Sequence, residues 1–207
     1  MGFLQNTRRP EGLGGRLMVS MMNRGTHAAL SEWGLSHLNT EIPQSILEMG
    51  CGGGANIRRL MKKYPEARVT GADYSEVSVE KSRTMNRRAI EEGKCAIVQE
   101  NVRELTFPDQ TFELVTAFET VYFWPELTES FREIYRVLKP GGTFFICNET
   151  DGDDPADYKW EKTIQGMKIY QESELTRQLK AAGFATVDAE RNPDPKNSWI
   201  CLIARRW

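Results

Sequence analysis

The feature that most restricts how this chain can fold is the segment SILEMGCGGGANIRRL, residues 45–60. Ser45 to Met49 is a short apolar run suited to a buried strand. Beyond Gly54, the apolar residues Ile57, Leu60 and Met61 recur at helical spacing. A strand joined to a helix by a glycine turn is the unit with which α/β folds hold nucleotides. Glycine serves there because it accepts backbone angles closed to other residues and lets a ligand reach the main chain.

The rest of the sequence continues the alternation. Arg68 to Ala72 reads as a second strand, Glu76 to Glu92 as a helix and Cys95 to Glu100 as a third strand. The Pro-Asp turn in FPDQTF, residues 107–112, feeds a fourth strand through Glu113 to Phe118. Leu127, Phe131, Ile134, Tyr135 and Leu138 share one helix face, and Pro140-Gly141-Gly142 is expected to stop that helix. Thr143 to Cys147 is a fifth strand. A helix near Ser173 to Ala182 is followed by two strands, Thr186 to Arg191 and Trp199 to Arg205, with only the turn-rich NPDPKN between them. So short a link makes them antiparallel neighbours. Strands alternating with helices predict a mostly parallel sheet covered on both faces.

Composition narrows the function. A chain of 207 residues suits one α/β domain with an appendage. The division expected is a helical lid or substrate-side segment over residues 1–44 and a ligand-binding domain over 45–207. A net charge of −2 gives no general attraction to nucleic acid or to anionic membranes. The apolar runs are too short to cross a bilayer, and the N-terminus lacks a signal-peptide core, so a cytoplasmic protein is expected. Cys51, Cys95, Cys147 and Cys201 form no CxxC pair, which disfavours structural zinc and a disulfide framework. Cys51, inside the glycine turn, reads as a packing residue.

Two ligands compete for the turn. Gly50-x-Gly52-x-x-Ala55, with Asp73 ~20 residues on, satisfies a dinucleotide fingerprint, so an NAD-dependent oxidoreductase is one reading. Against it, Glu48 brings negative charge to the strand end where a pyrophosphate would sit, and suits a ligand with a positive end. The chain also has no length for a second mononucleotide half and a substrate domain. Taken together, ILEMGCGGG, GADYS, ENVRELTFPDQTFELV, FREIYRVLKPGGTFFI and LTRQLKAAGFATV resemble, in order and spacing, a class I S-adenosylmethionine-dependent methyltransferase of the small-molecule type. The resemblance runs from about Ser45 to the C-terminus. It implies a Rossmann-like seven-stranded sheet of order 3-2-1-4-5-7-6, strand seven antiparallel, with S-adenosylmethionine as donor and S-adenosylhomocysteine as product.

The resemblance also implies roles. The backbone of Gly50, Cys51, Gly52 and Gly54 would pass under the methionyl part of the donor, with Glu48 orienting its ammonium. Asp73 would accept from the ribose hydroxyls, Tyr74 would pack on adenine, and Asn101 and Val102 would meet the adenine edge. Phe118 completes the set of cofactor residues. Asn101 stands where the family commonly has aspartate. The acceptor is expected to be a small molecule, since no recognition domain and no basic stripe is present. The segment ETVYFWPE offers Glu119, Tyr122 and Trp124 at the carboxyl end of strand four, where ligands of open α/β sheets bind. Glu119, Trp124 and Met22 are candidate substrate residues, and His27 and Tyr122 candidate catalytic ones; an imidazole with an ordinary pKa of ~6.5 suits a base. No metal is expected: Glu149, Asp151, Asp153 and Asp154 read as a solvated acidic loop that at most attracts a cationic amine. The expected partner is the small-molecule substrate, and the expected state a monomer or homodimer. A cofactor-binding regulatory protein without turnover is the reading from outside catalysis.

Overall fold

The computed structural model describes residues 26–194 and 196–207, with Pro10 and Gly12. Seven strands form one sheet: β1 (Ser45–Met49), β2 (Arg68–Asp73), β3 (Cys95–Gln99), β4 (Phe112–Phe118), β5 (Leu138–Asn148), β6 (Thr186–Arg191) and β7 (Ile200–Arg205). Their order is β3-β2-β1-β4-β5-β7-β6. The first five are parallel, and β7 runs antiparallel to both β5 and β6. The order inferred from connection lengths and resemblance is therefore the order observed.

The helices are α1 (Thr26–His37), α2 (Ala55–Lys63), α3 (Glu76–Met85), α4 (Arg87–Glu91), α5 (Leu127–Val137), α6 (Lys159–Thr163) and α7 (Glu172–Ala182). The central strands β1, β4, β5 and β7 are buried on both faces, which is why they read as nearly continuous apolar runs, whereas the edge strand β6 is largely exposed. On one face Leu47, Val115, Phe144 and Ile146 pack against Phe131 and Ile134 of α5 and Leu175 and Leu179 of α7. On the other, Ile46, Val69, Leu114 and Phe145 meet Leu30 of α1 and Ile57 and Leu60 of α2. Each such side chain, fully buried, contributes about 1.5–3 kcal/mol. No helix among the described residues is long and apolar enough to cross a membrane.

Two local expectations change. The helix expected over Glu76 to Glu92 breaks at Asn86, which separates α3 from α4. Asn86 is buried, and its Nδ2 donates to the Gly54 carbonyl at 3.2 Å and the Ser82 carbonyl at 3.0 Å. The side chain thereby ties the helix to the glycine turn. Pro140 to Gly142 do not stop α5: it ends at Val137, and β5 has already begun at Leu138. Before β1, Leu30 and Leu38 are each 1 % exposed within the core. Gly34 lets α1 lie directly on β5, since a Cβ there would sit 2.6 Å from the Cys147 sulfur. Met22, the candidate substrate residue of the segment before β1, lies outside the described residues.

Candidate functional site

The carboxyl ends of β1, β2 and β4 open onto a cavity of about 300 Å³, at the lower end of the range for small-molecule sites. Its floor is the glycine turn. Gly50, Gly52 and Gly54 have φ of 80°, 50° and 82°, angles that only glycine adopts without strain. A Cβ at Gly50 would also collide with Thr120, and one at Gly54 with Ser82 and Asn86. The amides of Gly50 and Cys51 donate to the Ala72 carbonyl at 2.8 and 3.0 Å, which pins the turn to the end of β2.

Asp73 completes the floor. Its Oδ2 accepts the Gly52 amide and its Oδ1 the Ser75 amide, both at 2.9 Å. Burial raises its pKa, and the two amide bonds pull it back. Each oxygen keeps a lone pair for a further donor, so Asp73 both shapes the turn and remains able to receive hydroxyls. Tyr74, Asn101 and Val102 continue the wall on that side. The Asn101 carbonyl oxygen holds the Arg103 amide at 3.1 Å.

Glu48 takes a different place from the one expected. It is 1 % exposed and lies behind the turn rather than on the cavity wall. Burial pushes its pKa up to about 8, against the pull of Thr116, which donates to it, and of Asn56. Asn56 does line the cavity, and its Oδ1 accepts from Arg59 Nη1 at 3.1 Å. Through its hydrogen bond with Asn56, the carboxyl group of Glu48 is linked to the cavity wall. Cys51 is buried, burial and the charge of Asp73 hold its thiol well above the usual range, and it behaves as the packing residue expected. All four cysteines are free and buried.

At the opposite rim, Glu119 follows β4 with φ 59°, an angle few residues other than glycine adopt. Its Oε1 accepts from the Tyr122 hydroxyl at 3.2 Å and from the Glu149 amide, and its Oε2 lies 3.9 Å from His27 Nδ1. Burial, followed by the charge of Glu149, raises its pKa to about 8. Ligand atoms of His27, Glu119 and Glu149 fall within 4.8 Å of one another, the one such grouping among the described residues. It draws donors from α1 and from the ends of β4 and β5.

The structure brings His27, Gly50, Cys51, Gly52, Asp73, Tyr74, Asn101, Val102, Phe118, Glu119 and Trp124 onto one cavity. Tyr122 is a correction: it is buried off the cavity, where its hydroxyl accepts the Thr150 amide at 3.3 Å and braces Glu119. A side chain enclosed in this way cannot touch a substrate. Trp124 is largely packed away too, stacked on Phe144 at 6.0 Å with its Nε1 donating to Thr120 at 3.2 Å. Two of the four carboxylates of the acidic loop, Asp151 and Asp153, are already paired, while Glu149 and Asp154 are exposed. Arg191 binds Asp151, Asp153 and Glu172 together.

Sequence reasoning passed over Asn56, Arg59 and Thr120. The first two carried a signal: three residues apart at the start of the helix after the turn, they share one helical face.

Comparison with known proteins gives the same picture. A family model described as a methyltransferase domain matches residues 47–146. The cycloartenol-C-24-methyltransferase of Arabidopsis thaliana is 30 % identical over 153 residues, 70 % of this chain and 45 % of that protein. The uncharacterized methyltransferase YdaC of Bacillus subtilis is 27 % identical, over 86 % of this chain and 91 % of its own length. The chain spans about half the length of the Penicillium fellutanum and plant methyltransferases it matches. Among solved structures, the complex of the Haloferax volcanii Trm112 methyltransferase activator with a putative methyltransferase aligns with a TM-score of 0.79 at 18 % identity, covering 92 % of this chain and 96 % of that one. A putative sarcosine dimethylglycine methyltransferase from Galdieria sulphuraria aligns at 0.74 and 17 %, covering 87 % and 86 %.

Proposed function

We propose, for a chain that belongs to the class I S-adenosylmethionine-dependent methyltransferases, that it binds S-adenosylmethionine over the glycine turn and moves the methyl group to a small-molecule acceptor. The observation that carries the reading is the floor of the cavity. Gly50 and Gly52, both at positive φ, line the cavity, Gly54 packs the turn against Ser82 and Asn86 instead of lining it, and the buried carboxylate of Asp73 stands beside the turn. A nucleoside fits that arrangement, with ribose hydroxyls on Asp73 and a base toward Tyr74, Asn101 and Val102. A dinucleotide would need a second mononucleotide half, and the β5-β7-β6 end of the sheet supplies an antiparallel hairpin in its place.

Bound there, S-adenosylmethionine supplies a methyl group on a sulfonium, which is already a good leaving group. The residues then have three tasks: to hold the donor, to align the acceptor in line with the methyl, and to exclude water. Alignment alone can supply about 7–11 kcal/mol of the barrier. Phe118, Phe123 and Glu119 form the rim over which the acceptor would enter. An acceptor that arrives protonated meets His27 and Glu119 there, 3.9 Å apart, and His27 is the group assigned to take the proton. Four buried, free cysteines fit a reducing compartment, in accord with a cytoplasmic enzyme.

The test uses methyl-labelled S-adenosylmethionine, the protein and a fractionated cell extract, with Asp73→Ala as control. Label is expected in a small-molecule fraction and absent with the variant. Label in protein or RNA would overturn the acceptor class, and no transfer despite cofactor binding would favour a regulatory role.

A further inference from the structure

Among the described residues that line the cavity, Arg59 is the one lysine or arginine. The carboxylates of the wall are Asp73 and Glu119, and neither forms an ion pair with it. Arg59 lies in α2, half-buried, with Nη1 donating to Asn56 Oδ1 at 3.1 Å. One bond of this kind fixes the guanidinium plane and leaves further N–H groups of the fork for a ligand. No carboxylate pairs with it among the described residues, whereas Arg136 and Arg191 are each held by acidic neighbours. A cation on the wall of a mostly uncharged cavity, held by an amide, is placed to receive an anion.

The glycine turn says which anion. Asp73 holds the Gly52 amide at one side of the turn, and Gly53, Ala55, Asn56 and Arg59 continue the cavity wall from there along α2. A nucleoside whose ribose rests on Asp73 directs a 5′ substituent across the glycines toward that helix. We propose that Arg59 binds the carboxylate of an amino-acid tail on the donor nucleoside and so selects for donors that carry one. The assignment rests on reading the cavity as the S-adenosylmethionine site. Planar guanidinium and carboxylate match in two parallel hydrogen bonds, which lysine cannot reproduce. Asn56 then has a positioning role, since it links Arg59 to the buried carboxyl group of Glu48.

The experiment compares two nucleosides that differ in the tail: S-adenosylhomocysteine, which has the carboxylate, and 5′-methylthioadenosine, which lacks it. Binding of each is measured by calorimetry to wild type, Arg59→Gln and Arg59→Lys, with thermal melting as the control for folding. Arg59→Gln should weaken S-adenosylhomocysteine by about ten-fold or more and change 5′-methylthioadenosine by less than about three-fold, with Arg59→Lys between. Equal losses for both ligands would make Arg59 a support of the turn and overturn the proposal. So would an unchanged affinity for S-adenosylhomocysteine, which would leave the cation to an acceptor. Failure of wild type to bind either nucleoside would overturn the cofactor reading and this assignment with it.

Discussion

Replacing Glu48 by glutamine should stabilise the protein at neutral pH, by an amount that depends on pH in a defined way. Glu48 is 1 % exposed, and burial raises its pKa from an ordinary 4.5 to about 8. Between those values the folded state holds a proton that the unfolded state has released. The contribution of Glu48 to wild-type stability therefore falls by about 1.4 kcal/mol for each pH unit above 4.5, and the loss levels off above about pH 8. At pH 7 the cost is about 3 kcal/mol, a large share of the stability of a domain this size. Glutamine keeps the shape and has nothing to release. Urea denaturation of wild type and Glu48→Gln at intervals from pH 4.5 to 8 reads the difference directly. The two should be nearly equal at pH 4.5 and diverge with rising pH, the variant being the more stable. A difference that stays constant across the range would refute the argument, because it would mean that Glu48 titrates normally. A buried acid retained at this cost points to a role at the turn, so the same variant should bind S-adenosylhomocysteine less well.

Two further outcomes follow from packing and hydrogen bonding. Gly71→Ala should cost about 1–3 kcal/mol in urea denaturation, because its Cβ would press on Ile57, on Ile97 at 2.9 Å and on Cys51 at 3.2 Å in a filled core; a neutral change would mean that the core yields there. Tyr122→Phe should lose about 1 kcal/mol of stability and keep most methyl transfer, since its hydroxyl serves Glu119 and the Thr150 amide and not the cavity; loss of turnover with stability intact would restore it as a catalytic residue.

Much of the architecture was legible because its causes are local. The buried parallel strands appear as apolar runs such as Phe112 to Phe118, and α5 shows its buried face at regular spacing in Leu127, Phe131 and Ile134. The glycine turn, with Asp73 beyond it, identified the floor of the cavity. What escaped the sequence depends on contacts between distant residues. Asn86 breaks a helix because its side chain reaches the Gly54 carbonyl, 32 positions away. Arg191 neutralises Asp153 from 38 positions away, so the acidic loop looked freer than it is. Tyr122 sits in the short turn Val121–Phe123 after β4, where neither strand nor helix periodicity says which side chains face the cavity and which the core. Its neighbour Phe123 reaches the cavity, and Tyr122 turns inward to Glu119 and Thr150.

Calorimetric titration of the purified chain with S-adenosylhomocysteine and, separately, with NADH, on wild type and Asp73→Ala, decides which ligand the glycine turn holds. One S-adenosylhomocysteine should bind per chain, with a sharp loss of affinity in Asp73→Ala and no binding of NADH. Binding of NADH, or an affinity for S-adenosylhomocysteine that Asp73→Ala leaves unchanged, would contradict the assignment of the turn to S-adenosylmethionine.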